Sequence, residues 1–318
     1  MNAMTRYHPG RDQFELADAL ENALGELLPL ARLHASHAES EETWNGLTEL
    51  GLFGLGLSEE RGGSGLGAAE EALIVMGLGR RLVAPGVLAT MSAAQVLTGS
   101  HADNVRRTAF AYRHNDRNVA VHESNAELIL LRDEAGAALF AANPSNRQID
   151  NRNWLGDLRE LAEPGEPIAR FDAPQLMRLR LMDAAALAGM AAAAVEMAVG
   201  YAGFREQFGR PIGSFQAVKH HCANMAIAAR CARDQVSFAA VALDDERSDA
   251  ALQVECALFT AGTAALETTG TNIQIHGGIG FSDEADPHLL VKRAQLHLAI
   301  AGGLEASNAR IAALAPIW

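Results

Sequence analysis

The sequence predicts a mainly α-helical protein with a small β module at its centre and a four-helix bundle at its C-terminal end. Three observations predict it. Apolar residues recur every three to four positions through residues 12–100, among them Phe14, Leu20, Leu24, Leu27, Leu28 and Leu33. Residues 108–172 break into short runs such as TAFAYR, NVAVHE and AELILLRD, separated by Asn115-Asp116, Gly136 and Pro164-Gly165. Helical periodicity returns from Leu176 to the end in four long segments. The expected division is a helical domain over 1–107, a reduced antiparallel β domain over 108–173 and the bundle over 174–318.

In chain order, the first helix is followed by a short one over Glu41 to Leu50, with Ser40 in position to cap it. The glycine-rich stretch GLGLSEERGGSGLG then breaks the pattern, and two apolar helices follow over Ala68–Val83 and Pro85–Leu97. In the bundle, Leu179, Met182, Ala186, Met190, Ala194, Met197 and Tyr201 form one helical stripe. Phe215, Val218, Cys222, Met225, Ala229, Val236 and Leu243 form a second, and residues 249–272 and 288–313 supply two more helical segments.

Composition narrows the function. The 318 residues are 49% hydrophobic, enough for a large core, and the net charge is −13. That charge, with arginines scattered along the chain, argues against a nucleic-acid surface. Cys222, Cys231 and Cys256 have no metal-site spacing and read as small buried hydrophobes in a reducing compartment. No stretch is expected to be long and apolar enough to span a bilayer, and MNAMTRYHPGRDQ lacks a signal peptide's apolar core. A cytoplasmic protein without a membrane partner is expected.

Several motifs fall away. GGSGLGA at 62–68 fits a loose dinucleotide pattern, but it stands between helices and not after a strand. None of the eleven histidines has a Glu three residues before it, so no bundle metal site is expected. Two loops carry more. In YAGFREQFGRPIGSFQAVKHH (201–221) a helix ends near Gly203 and a new one starts with Ser214 as its cap. Between them Arg205 offers a forked donor for phosphate, and Phe208 offers a ring for stacking. In IQIHGGIGF (273–281) Gln274 can donate, and Gly277-Gly278 let backbone N–H groups approach an anion. Each loop alone reads equally well as an ordinary helix connection.

Together, R-x-Q-F-G-x-P-I-x-x-F-Q at 205–216 and I-Q-I-H-G-G-x-G-F at 273–281, with KRA at 292–294, resemble the two C-terminal signatures of the acyl-CoA dehydrogenase family. LTELGLFGLGLSEERGGSGLG is similar to the family's helical lead-in. The resemblance implies three lobes and FAD-dependent α,β-dehydrogenation of an acyl-CoA thioester, with electrons passing to an electron-transfer flavoprotein. It implies that Arg205, Gln207, Phe208, Gln216, Gln274, Gly277 and Gly278 contact FAD, usually that of a neighbouring subunit. A homo-oligomer, or a heteromer with a longer subunit of the family, follows from this.

The resemblance also implies where a catalytic carboxylate belongs. Counting from the two signatures, those positions fall on Ala301 and Leu179, and neither side chain accepts a proton. Asp183, Glu305 and Glu284 are the weaker substitutes, each read as a solvated surface acid. The β module lacks the family's flavin-side motifs, and Trp154 stands in the wrong surroundings for one of them. The chain is similar to the short, non-catalytic subunits of bacterial heteromeric acyl-CoA dehydrogenases, some of which act on steroid side chains. Three expectations stand: a base-lacking subunit that completes a partner's FAD site, a self-sufficient enzyme with a displaced base, or a scaffold without flavin.

Overall fold

The computed structural model describes residues 6–98, 105–114, 117–121, 125–133, 136–143, 147–149, 157–161 and 164–314. Trp154 lies outside them. Four helices come first: α1 (Arg11–Leu27), α2 (Glu41–Glu49), α3 (Ala68–Arg80) and α4 (Pro85–Val96). Ser40 Oγ accepts the Thr43 N–H at 3.1 Å and caps α2 as its sequence predicts. The N-terminus of α3 is capped from far away. Asp244 accepts the Ala68 and Ala69 N–H groups at 2.6 and 3.0 Å.

The central sheet holds β1 (Thr108–His114), β2 (Arg117–Val121), β3 (Leu128–Asp133), β4 (Gly136–Ala141), β5 (Arg147–Ile149), β6 (Leu158–Glu160) and β7 (Ala169–Arg170). Their order is β5-β6-β2-β1-β3-β4-β7. The expected all-antiparallel sheet needs one correction, because β1 and β3 pair in parallel with Thr108 opposite Leu128. The turn residues announced the hairpins β1–β2 and β3–β4, and both are present. β2 returns the chain to the end where β1 starts, so a strand laid on the other side of β1 must run with it. Alternation sends Phe110, Tyr112, Leu128, Leu130 and Leu139 into the main core. Ala109, Ala111, Ala120, Ile129 and Leu131 form a second cluster on the opposite face.

The bundle consists of α5 (Ala173–Phe204), α6 (Gln216–Asp244), α7 (Ala250–His276), α8 (Pro287–Ile300) and α9 (Gly303–Ala313). It begins at Asp172, whose carboxylate and the Gln175 side chain form a capping box with N–H···O distances of 2.9 Å. The single segment expected over 288–313 is broken at Gly302, where φ is +94°. Among the described residues α5 alone is long and apolar enough to cross a membrane, which corrects the sequence expectation. Its most apolar window is 72% buried inside the fold. Residues 181–191 are buried without interruption, so α5 is not a striped helix but a core helix packed on every side.

Glycines let the helices around α5 approach. A Cβ on Gly79 of α3 would overlap the Ala186 carbonyl, and one on Gly189 of α5 would overlap the Met76 carbonyl. Arg178 ties the same helix pair together, donating to Glu71 and, at 3.1 Å, to the Leu66 carbonyl. Burial pushes the Glu71 carboxyl above its ordinary value in spite of that partner. All three cysteines are free. Cys222 and Cys256 are half-buried, but Cys231 is exposed and not the buried hydrophobe its apolar surroundings suggest.

Candidate functional site

The two loops singled out by sequence come together at one end of the bundle. Past α5, the Arg205 N–H still donates to Tyr201 O at 2.9 Å, and Arg205 O accepts the Ile212 N–H at 2.7 Å. Between those bonds lies a two-stranded hairpin, β8 (Glu206–Gln207) and β9 (Arg210–Pro211). Its two turn residues, Phe208 and Gly209, have φ of +54° and +77°, as a type I′ turn requires. Phe208 is an unfavourable residue for this conformation. It is nevertheless 93% exposed, with its ring edge-on to Phe215 at 6.1 Å. The Arg210 guanidinium lies 4.2 Å from the Phe215 ring centre. Arg205 and Gln216 are exposed, as is Gln207, whose amide donates to the Glu206 carbonyl at 2.7 Å. Ser214 does not cap α6. Phe215 holds the cap position, and Ser214 Oγ donates to Pro211 O at 2.7 Å, closing the turn before the helix.

The second loop begins at the last residue of α7. Gly277 takes φ +67° and ψ −143°, and its N–H donates back to Ile273 O. That N–H is therefore committed to ending the helix and does not face an anion. What Gly277 and Gly278 leave open is the space of their missing Cβ atoms, within 4 Å of which nothing lies. Gln274 beside them is exposed. The two loops are clamped by the Tyr201 and His276 rings, stacked 4.0 Å apart. Burial pushes the His276 imidazole below its ordinary value, although Nδ1–H donates to Asn272 O at 2.8 Å. Ala194, Ala198, Ala202, Met225 and Ile275 fill the space beneath. Exposed around the loops are Phe204, Phe208, Phe281 and Ile279.

A cavity of about 410 Å³ lies between β1, β3, the first turns of α5 and the α8–α9 junction. Leu179 and Ala301, 122 positions apart by subtraction of their numbers, both line it. So do Tyr112, Asp133 and the guanidinium-bearing Arg113, Arg132, Arg180 and Arg310. Asp183 is not the solvated acid its sequence position suggests. It is 2% exposed, 2.7 Å from Arg132 Nη1 and 3.3 Å from His297 Nε2. Burial alone would raise its carboxyl, but Arg132 and His297 outweigh that and hold it below the ordinary value. Such a pinned carboxylate is a poor proton acceptor. Glu305 in the first turn of α9 and Glu284 beyond the glycine loop are exposed.

Sequence reasoning missed the groups that make this cavity charged. Glu255 of α7 is buried, and it holds Arg180 at 2.9 Å, Arg310 at 2.8 Å and Ser307 Oγ at 3.2 Å. Asp133, in the β3–β4 turn, accepts the Gly136 N–H at 3.0 Å. The spacing of Arg180, Glu255 and Arg310 along the chain carries no signal that they meet.

Comparison with known proteins supplies the family. Residues 11–102 match the model of the acyl-CoA dehydrogenase N-terminal domain, and residues 171–315 that of the C-terminal domain. The chain is 31% identical over 281 residues to acyl-CoA dehydrogenase FadE34 of Mycobacterium tuberculosis. That match covers 78% of this chain but 38% of FadE34, so the chain spans well under half of that relative. It is 30% identical over 275 residues to acyl-CoA dehydrogenase IpdE2 of the same organism, covering 83% of each. Its fold overlays a chain of the ChsE4-ChsE5 complex of Mycobacterium tuberculosis with a TM-score of 0.79 and 21% identity, covering 98% of this chain and 100% of that one. The chain belongs to the acyl-CoA dehydrogenase family.

Proposed function

We propose that this chain is the base-lacking subunit of a heteromeric acyl-CoA dehydrogenase, and that its hairpin and glycine loop complete the FAD site of a longer partner. One observation carries the reading. Leu179 and Ala301 line a single cavity, and neither can remove a proton from a thioester's α-carbon. The outward-facing loops fit the other half of the role. Arg205 and Gln274 are exposed donors suited to a pyrophosphate, and the open flank of Gly277-Gly278 lets one approach. Phe208, held exposed in an unfavourable turn conformation, offers a face for a purine ring. Bound FAD would accept the β-hydrogen as hydride. This chain's own part is to hold the cofactor and cover it from water. The likeness to the ChsE4-ChsE5 complex supports a heteromer.

The experiment is a visible spectrum of the purified chain, alone and after co-expression with a longer subunit of the acyl-CoA dehydrogenase family. Colourless protein alone and a yellow complex bleached by an acyl-CoA are expected. Arg205→Ala should lower flavin content in that complex. Yellow protein purified alone and bleached by an acyl-CoA refutes the silent-subunit role. A second reading, a self-sufficient enzyme, has one observation in its favour: Asp133 lines the same cavity. It requires that Asp133→Asn abolish bleaching of the isolated chain.

A further inference from the structure

We propose that the cavity between the sheet and the α8–α9 junction is a carboxylate-binding site, with Arg180 and Arg310 as its anion-holding wall and Leu176, Leu179, Ile300 and Ala301 as its apolar floor. The inference rests on the cavity alone and needs neither the flavin nor the partner.

Among the described residues four guanidiniums line the space, from Arg113, Arg132, Arg180 and Arg310, against one carboxylate, Asp133. The molecule as a whole carries a net charge of −13, so a basic composition does not explain this concentration of cations. The carboxylates that neutralise the wall stand behind it. Asp183 and Glu255 are 2% and 3% exposed, and neither lines the cavity. Each ion pair is therefore oriented with its positive member toward the open space. Neutralisation is also incomplete, because the single Glu255 serves both Arg180 and Arg310 and takes Ser307 Oγ as well. Among the described residues Arg310 Nη2 is buried without a hydrogen-bond partner, which leaves that guanidinium short of acceptors. Burial, with help from Arg310 and Arg132, pushes Arg180 below its ordinary value, and Glu255 does not restore it.

The shape suits the chemistry. About 410 Å³ takes a small molecule or the end of a longer one. A planar carboxylate accepts two parallel N–H bonds from a guanidinium, and two arginines sharing one glutamate have donors to spare. Leu176, Leu179, Ile300 and Ala301 give a methylene chain an apolar surface. A carboxylate at Leu179 or Ala301 would put a negative charge inside this space and repel such a ligand. Apolar residues at those positions keep the cavity cationic.

A free dicarboxylate and the carboxylate end of an acyl thioester present the same group, and calorimetry on the full chain separates them. The probes are adipate, its uncharged diamide, adipoyl-CoA and hexanoyl-CoA. Adipate should bind, the diamide should not, and binding should weaken as salt is raised. Arg180→Met should weaken adipate about 10- to 100-fold, the range for one charged hydrogen-bonding partner. Arg80→Met, at a surface pair with Glu196, should leave it unchanged. Adipoyl-CoA binding more tightly than both adipate and hexanoyl-CoA identifies the acyl thioester as the ligand. Adipate binding with the two thioesters equal identifies the free acid. If Arg180→Met, which strips Glu255 of one of its two guanidiniums, fails to fold, Arg180→Lys keeps the charge but not the fork and should weaken adipate less. Equal binding of adipate and the diamide overturns the proposal, as does adipate without effect while both thioesters bind alike.

Discussion

Replacing Gly189 with alanine puts a methyl group where α3 and α5 touch backbone to backbone. The new Cβ would lie 2.8 Å from Arg80 N and 3.0 Å from Met76 C, and it would overlap the Met76 carbonyl oxygen. These are main-chain atoms of a buried helix, so no side chain can rotate away. Alanine in mid-helix returns about 1 kcal/mol of helix propensity over glycine. Overpacking in a filled core costs about 1–3 kcal/mol, and a contact with rigid backbone sits at the upper end. The net expectation is a loss of about 2 kcal/mol. Gly200 provides the control on the same helix. Nothing lies within 4 Å of a Cβ built there, so Gly200→Ala should gain up to about 1 kcal/mol. The two variants should thus differ by about 2–3 kcal/mol with opposite signs, read from urea midpoints by circular dichroism at unchanged m-value. A Gly189→Ala protein as stable as the wild type would show that α3 and α5 are not in backbone contact.

Arg32→Met should cost about 3–5 kcal/mol in the same assay, since it strands the nearly buried Glu39 that Arg32 grips at 2.8 and 2.9 Å. An unchanged midpoint would mean the pair is not formed. Acid sensitivity should begin near neutrality. Burial pushes His37, His276 and His288 below 6.5, so their contribution is intact above that pH and is lost as pH falls toward their folded values. His288→Leu should reduce the difference in urea midpoint between pH 7.5 and 5.5; the opposing effect of Glu71 is common to both proteins and cancels. Phe208→Asn fits the type I′ turn better and should stabilise the isolated chain by about 1 kcal/mol while lowering flavin content in the complex. Loss of stability instead would mean the turn is not strained.

The lobes and both loops were legible because their signals are local. Turn formers mark the hairpins, Pro211 and Gly213 mark the start of α6, and Gly277 marks the end of α7. Leu179 and Ala301, the positions counted from the loop signatures, both line one cavity. What stayed hidden depends on contacts between distant segments. The parallel β1–β3 pairing has no turn to announce it. Asp183 was misread because periodicity orients a helix only when one face is wet, and α5 is buried on all sides there. Glu255 gathers Arg180 and Arg310 from 75 residues before it and 55 after it, by subtraction of their numbers, and no local pattern encodes that.

The length of α5 joins the two regions mechanically. Leu179 at the cavity and Arg205 at the hairpin are separated by 205 − 179 = 26 residues, about 39 Å of helix at 1.5 Å per residue. Gly189, where the rod rests on α3, lies about 15 Å from the first and about 24 Å from the second. The crossing at Gly189 thus divides the helix into two unequal spans, along which α6 and α7 pack as well. The cavity wall and the hairpin are thereby fixed to opposite ends of one continuous helix.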